Sequence, residues 1–169
     1  MPWLEWLVVA LAAVTVLLIL AGQAGMLTGT PPTDLGVRDG KLKSLSNTPN
    51  CVSSQAALYP DHPMRAYAQI APLATKGDAA ATMAAVKAVV EGMDGAVVVT
   101  ATATATATAD YYVYARFTTR LLKFVDDVEF WFDPVVRVVQ VRSASRIGHG
   151  DRGVNRARIE AVRRLLAAR

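Results

Sequence analysis

Two runs of alternating residues meet at an Asp-Pro pair, and they limit what this chain can fold into. Phe124 to Asp133 reads FVDDVEFWFD, and Val135 to Ser145 reads VVRVVQVRSAS. Period-two alternation sends successive side chains to opposite sheet faces, so each run is a strand. Val128, Phe130, Phe132, Val139 and Val141 share an apolar face suited to a core. Asp127, Glu129, Trp131 and Asp133 share the other face with Gln140 and Arg142. A tight turn at Asp133-Pro134-Val135-Val136 sets Asp133 opposite Val136, Trp131 opposite Val138, Glu129 opposite Gln140 and Asp127 opposite Arg142. Arg137 then falls on the apolar face, beside the turn and within reach of solvent.

Two further strands precede the hairpin. Residues 96–108 read AVVVTATATATAT, where β-branched threonines alternate with alanines. So uniform a strand specifies its register poorly. Residues 110–119 place Tyr112, Tyr114 and Arg116 on one face, and Arg116 joins the polar side of the hairpin. Helices are expected at 78–93 and 153–168. Asp78 is a good N-cap for the first, and Met83, Val86, Val90 and Met93 recur on one face. Runs of strands bracketed by helices favour segregated layers. The expected fold is α+β: a four-stranded, mostly antiparallel sheet (96–108, 110–119, 124–133, 136–144) packed with two helices. Asp39-Gly40 and Thr48-Pro49-Asn50 mark turns in the irregular region before them.

The N-terminus is organised differently. Trp3 to Leu27 is apolar except for Glu5, Thr15 and Gln23, about the length a bilayer needs. Trp3 and Trp6 suit an interfacial belt. A cleaved signal peptide is the rival reading, but no Lys or Arg precedes Arg38, and Ala21-Gly22-Gln23-Ala24 is a poor cleavage site. The expected organisation is a transmembrane anchor (1–29), a Pro-rich linker (30–35) and one domain (36–169). The anchor makes the lipid bilayer a partner and the protein single-pass. Export-like character places the domain in the periplasm of a bacterial inner membrane, whereas Arg38, Lys41 and Lys43 beyond the span argue for the cytoplasm.

The polar residues between Asp126 and Arg156 admit three readings. One is a cross-strand ion-pair ladder on a solvated face. A second is a ligand site for an anionic group, built from Arg116, Arg142, Ser143, Ser145, Arg146, Asn155 and Arg156. Guanidiniums, hydroxyls, glycines and a helix start suit phosphate or carboxylate. The third is acid–base catalysis by Asp126, Asp127 or Glu129 with His149, as in a small hydrolase. Cys51 is the sole cysteine and no intramolecular disulfide is possible. It reads as a buried small hydrophobe, or as a nucleophile served by His62 or His149. Two histidines and one cysteine leave a metal site poorly supplied, and no cofactor is expected. Net charge is +4, yet eight arginines against two acids lie from Arg142 onward. That basic end suits anionic lipid, but it lacks interleaved aromatics, so nucleic acid is a minor reading.

Four blocks occur in order: TPNCVSS from Thr48, FVDDVEF from Phe124, VRSASR from Val141 and GVNRARIE from Gly153. Together they resemble the DUF1499 family, a domain of unknown function found in bacteria and photosynthetic eukaryotes. The likeness covers Gly36 to Leu166 and implies that the loop with Asn50, Cys51 and Ser53 and the Asp-Asp-Val-Glu hairpin form one pattern. Family members often carry a further cysteine in a Cys-Pro pair before this loop, where Leu45 and Ser46 stand here. The resemblance implies no activity. The leading expectation is a membrane-anchored accessory protein that binds a membrane-protein partner or an anionic small molecule.

Overall fold

A computed structural model describes residues 2–102 and 111–169. Among these residues, four α-helices and five strands follow one another as α1 (Pro2–Gln23), β1 (Cys51–Ser53), α2 (Arg65–Ala68), α3 (Ala79–Glu91), β2 (Ala96–Thr102), β3 (Tyr112–Thr118), β4 (Val125–Asp133), β5 (Val138–Ser145) and α4 (Val154–Ala167). The strands form one antiparallel sheet in the order β1-β5-β4-β3-β2. The α+β class holds, but the sheet has five strands where four were expected. The extra strand is β1, paired along β5 with Cys51 opposite Ala144. Three residues are too few for alternation to be seen. The expected Thr/Ala strand is described only to Thr102; residues 103–110 lie outside the described residues.

The hairpin register differs from the expected one by two residues. Asp133 pairs with Val138, Trp131 with Gln140, Glu129 with Arg142 and Asp127 with Ala144. A two-residue hairpin turn needs positive φ at its first central position, which the pyrrolidine ring of Pro134 forbids. The loop therefore widens to Pro134–Arg137, and Arg137 takes the left-handed conformation at φ 52°. Asp133 wraps this loop: its Oδ1 accepts from the backbone N–H groups of Val135 and Val136 at 3.0 and 3.3 Å. A shift of two keeps every strand residue on its face. It also moves Arg137 off the apolar face and into the exposed loop.

α3 and α4 cover the apolar face. Met83, Val86, Val89, Val90, Ile159 and Val162 pack there against Val113, Ala115, Phe117, Val128, Phe130, Phe132, Val139 and Val141. Asp78 caps α3, its Oδ1 accepting from Ala81 N at 2.7 Å. One of the three readings made the polar face a solvated ladder, yet every residue of β4 is buried. Its cover is a strap, residues 34–45, without helix or paired strand beyond one tight turn. Asp39 and Gly40 form that turn with φ of 51° and 70°, between the bridged Arg38 and Lys41. Leu42 packs on Tyr112 and Trp131. Hydrogen bonds hold the strap at four points: Gly36 N to Glu129 Oε1, Gln55 Nε2 to Gly40 O, Leu42 N to Gln55 Oε1, and Arg142 Nε to Ser44 O.

α1 is long and apolar enough to cross a membrane, a test that an N-terminal signal sequence also passes. Its exit is attached to the domain. Gln23 Nε2 donates to the carbonyls of Arg120 and Leu121 in the β3–β4 turn, at 3.3 and 2.9 Å. Gly22 lies so close to that turn that a Cβ would sit 2.6 Å from the Leu122 oxygen.

Candidate functional site

The polar residues of the hairpin divide between the two faces of the sheet. On the strap face, Arg146 grips Asp127 through Nε to Oδ2 at 2.9 Å and Nη2 to Oδ1 at 2.7 Å. The Tyr114 hydroxyl donates to the same Oδ1 at 2.6 Å. Both charged side chains are 4% exposed. The carboxylate beside it raises the Arg146 pKa further, and burial first, then the bond to Asp127, pushes the Tyr114 phenol up to about 12.

Glu129 sits two residues along on that face, fully buried. Its Oε1 accepts from Gly36 N and from the Tyr112 hydroxyl, each at 2.8 Å. Its Oε2 has no hydrogen-bond partner among the described residues, and the Arg142 guanidinium stands 3.6 Å away. Desolvation dominates here and lifts the Glu129 pKa above the usual carboxylate range, against the pull of Gly36, Arg142 and Tyr112. Burial, reinforced by Glu129, likewise raises the Tyr112 phenol.

On the helix face, Asp126 pairs with Arg158 of α4 at 2.5 Å, and that guanidinium lies 4.6 Å from the centre of the Phe117 ring. Asn155 is the hub beside it. Its Nδ2 donates to Asn50 O and Ser145 Oγ, both at 3.0 Å. Its Oδ1 accepts from Ser143 Oγ at 2.5 Å and Arg158 Nη1 at 2.7 Å. Asn50 in turn donates to Gly148 O at 2.9 Å, while its buried Oδ1 has no partner among the described residues. The block of Asn50 and the block of Ser143 and Ser145 are thus joined through the first turn of α4.

α4 begins at Gly153, which has no capping side chain, and Asp151 supplies the cap. Its carboxylate accepts from Gly153 N at 2.9 Å, Asn155 N at 3.0 Å and the Tyr67 hydroxyl. Burial works to raise the Asp151 pKa, but these donors outweigh it and hold it below the usual range. Arg156, expected among the ligand residues, instead donates to the carbonyls of Tyr67 and Gln69. Arg163 does the same to Ala71 and Pro72. Of the eight arginines from Arg142 onward, only Arg152 and Arg164 make no side-chain bond among the described residues.

The remaining expected residues are scattered. His149 is exposed in the loop after β5 and its ring has no partner among the described residues, whereas Asp127 and Glu129 lie under the strap. Cys51 is 1% exposed in β1, and Ser53 Oγ accepts from Gln55 N. Arg116 is exposed on β3 without a side-chain partner among the described residues. Among the described residues, no group of three or more His, Cys, Asp or Glu is placed to hold a metal ion. Sequence reasoning missed Tyr112, Tyr114, Arg158, Asp151 and Tyr67. The signals it had were the shared face of Tyr112 and Tyr114 and the place of Arg158 in the GVNRARIE block.

Residues 41–166 match the family model described as "Protein of unknown function (DUF1499)". No curated protein and no solved structure matches the chain.

Proposed function

The chain belongs to the DUF1499 family, and from its geometry we propose a membrane-anchored accessory domain that binds a partner or an anionic group, held on the periplasmic side by α1. One observation carries the reading: the exit of the apolar helix is hydrogen-bonded to the domain through Gln23, while the buried acids Asp126, Asp127 and Glu129 are each set beside an arginine. The domain is fixed to its anchor, and its ionic groups are spent on holding it together. Arg142, Ser143, Ser145, Arg146, Asn155 and Arg156 act in this reading as a framework. Recognition falls to cations left without side-chain partners among the described residues, of which Arg116 is one.

A small hydrolase using Asp127, Glu129 and His149 is the alternative that the raised Glu129 pKa favours. It requires the strap to leave the sheet and exposed His149 to approach. Binding of lipid or nucleic acid through the C-terminal arginines is poorly supported, because most of them bond inward. The test is capture of the full-length chain in mild detergent. A stoichiometric membrane protein recovered with wild type supports the accessory reading. A lone chain that hydrolyses ester or phosphoester substrates, and loses this with Glu129→Gln, overturns it.

A further inference from the structure

The β3–β4 turn reads Thr119-Arg120-Leu121-Leu122-Lys123 and lies against the end of the apolar helix. Leu121 is 61% exposed, although its own carbonyl is held by Gln23. Leu20, on the last turn of α1, is 58% exposed. The apolar surface of the helix therefore continues onto the turn. Arg120 and Lys123 flank the leucines, and Arg116 stands one strand turn away. None of the three cations has a side-chain partner among the described residues, in contrast to the arginines of the hairpin. Lys123, Arg116, Thr28 and Gln23 line a cleft of about 420 Å³ between the helix exit and the sheet.

An exposed leucine flanked by unpaired cations, at the depth where a spanning helix leaves the bilayer, matches the layered chemistry of a membrane interface. Such an interface sets acyl chain below, phosphate beside and water above. We infer that the Thr119–Lys123 turn and the adjoining cleft bind the headgroup of an anionic phospholipid, with Leu121 inserted at the acyl boundary and Arg116, Arg120 and Lys123 around the phosphate. The inference rests on α1 being a retained anchor. It gives the anionic group of the proposed function a chemical class and a place. Neither Gln23 nor Gly22 can be altered freely in this arrangement, since both set the turn at the level of the helix exit.

The test uses the full-length chain in nanodiscs of phosphatidylcholine with or without phosphatidylglycerol. Spin labels are placed at Leu121→Cys, Val14→Cys and Val135→Cys in a Cys51→Ala background. Power saturation with oxygen and a water-soluble nickel chelate reports depth. The expected result is Val14 deep, Leu121 at the interface and Val135 in water. Val14 deep with Leu121 in water overturns the inference and leaves the anchor standing; Val14 in water overturns both. The second readout is lipid retained on the purified protein, measured by native mass spectrometry. Each interfacial cation contributes about fivefold to anionic-lipid affinity. Arg116→Gln/Arg120→Gln/Lys123→Gln should therefore abolish the preference for phosphatidylglycerol. An unchanged preference refutes the site, as does full displacement of the lipid by inorganic phosphate, which would mark a free-anion site.

Discussion

If Asp127 and Arg146 form a structural pair, a double-mutant cycle must show strong coupling. Both side chains are 4% exposed and are joined by two charge-assisted hydrogen bonds, at 2.7 and 2.9 Å. Arg146→Met leaves the buried Asp127 carboxylate with only the Tyr114 hydroxyl. Asp127→Leu strands the guanidinium in the same way. Removing one partner of a buried pair costs about 3–5 kcal/mol. Replacing both with apolar groups is close to neutral, because no charge remains to be desolvated. Tyr114 is half-buried, so its hydroxyl can turn to water in the double variant. The coupling energy is therefore about 3 kcal/mol or more, and each single variant should melt roughly 10 °C or more below wild type. The assay is denaturant unfolding of the full-length chain in detergent, followed by circular dichroism. Salt should change the coupling little, since the pair is shielded from solvent. Single variants costing under about 1 kcal/mol, with an additive double, would refute the argument and return the pair to a surface contact.

Three other outcomes follow from the same geometry. The Glu129 pKa is raised in the folded chain, so the native state holds that proton longer than the unfolded one. Wild type should lose stability relative to Glu129→Gln as pH rises from about 4.5 through the raised pKa; parallel unfolding midpoints across that range would contradict it. Asn155→Ala removes two donors and an acceptor that serve four buried or half-buried partners, and should cost about 2–4 kcal/mol in the same unfolding assay. Gly95→Ala meets two penalties, a φ of 73° and a Cβ 2.4 Å from the Thr118 oxygen, so a loss of about 2–4 kcal/mol is expected, and a neutral variant would show that the α3–β2 connection can shift.

The parts of this fold that were legible in the sequence are those written in side chains. The two faces of β4 and β5 follow from alternation, the start of α3 from Asp78, and the strap turn from Asp39-Gly40. What stayed hidden is carried by backbone groups or by distant partners. The strap is held through Gly36 N, Gly40 O, Leu42 N and Ser44 O, which leave no pattern in residue types. That strap makes an interior of the face that one reading took as a solvated ladder. Arg158 reaches Asp126 across 32 positions, and only the placement of α4 shows which of many arginines does so. The ligand set read from Arg142 to Arg156 was compact in sequence, yet alternation had already divided it: Ser143 and Ser145 face the helices, while Arg142 and Arg146 face the strap.

The two-residue register difference explains why these ions are arranged as they are. Sliding β5 by two positions preserves the inward and outward faces, so alternation alone separates the two registers weakly. The expected register sets Arg137 opposite Phe132 on the apolar face and asks Pro134 for a turn it cannot make. Those are local penalties at one end of the hairpin. At the other end the discrimination is ionic. In the observed register Arg142 stands beside Glu129, which frees Asp127 for Arg146 at the strand end. In the slipped register Arg142 takes Asp127 and leaves Glu129 facing Gln140, with its buried charge uncompensated. A buried carboxylate without a cation is among the costliest defects a core can hold. Asp127 and Glu129 therefore serve as register marks along the hairpin, and with Asp126 held by Arg158 of α4 each of these three carboxylates of β4 has a structural partner without being assigned to a ligand.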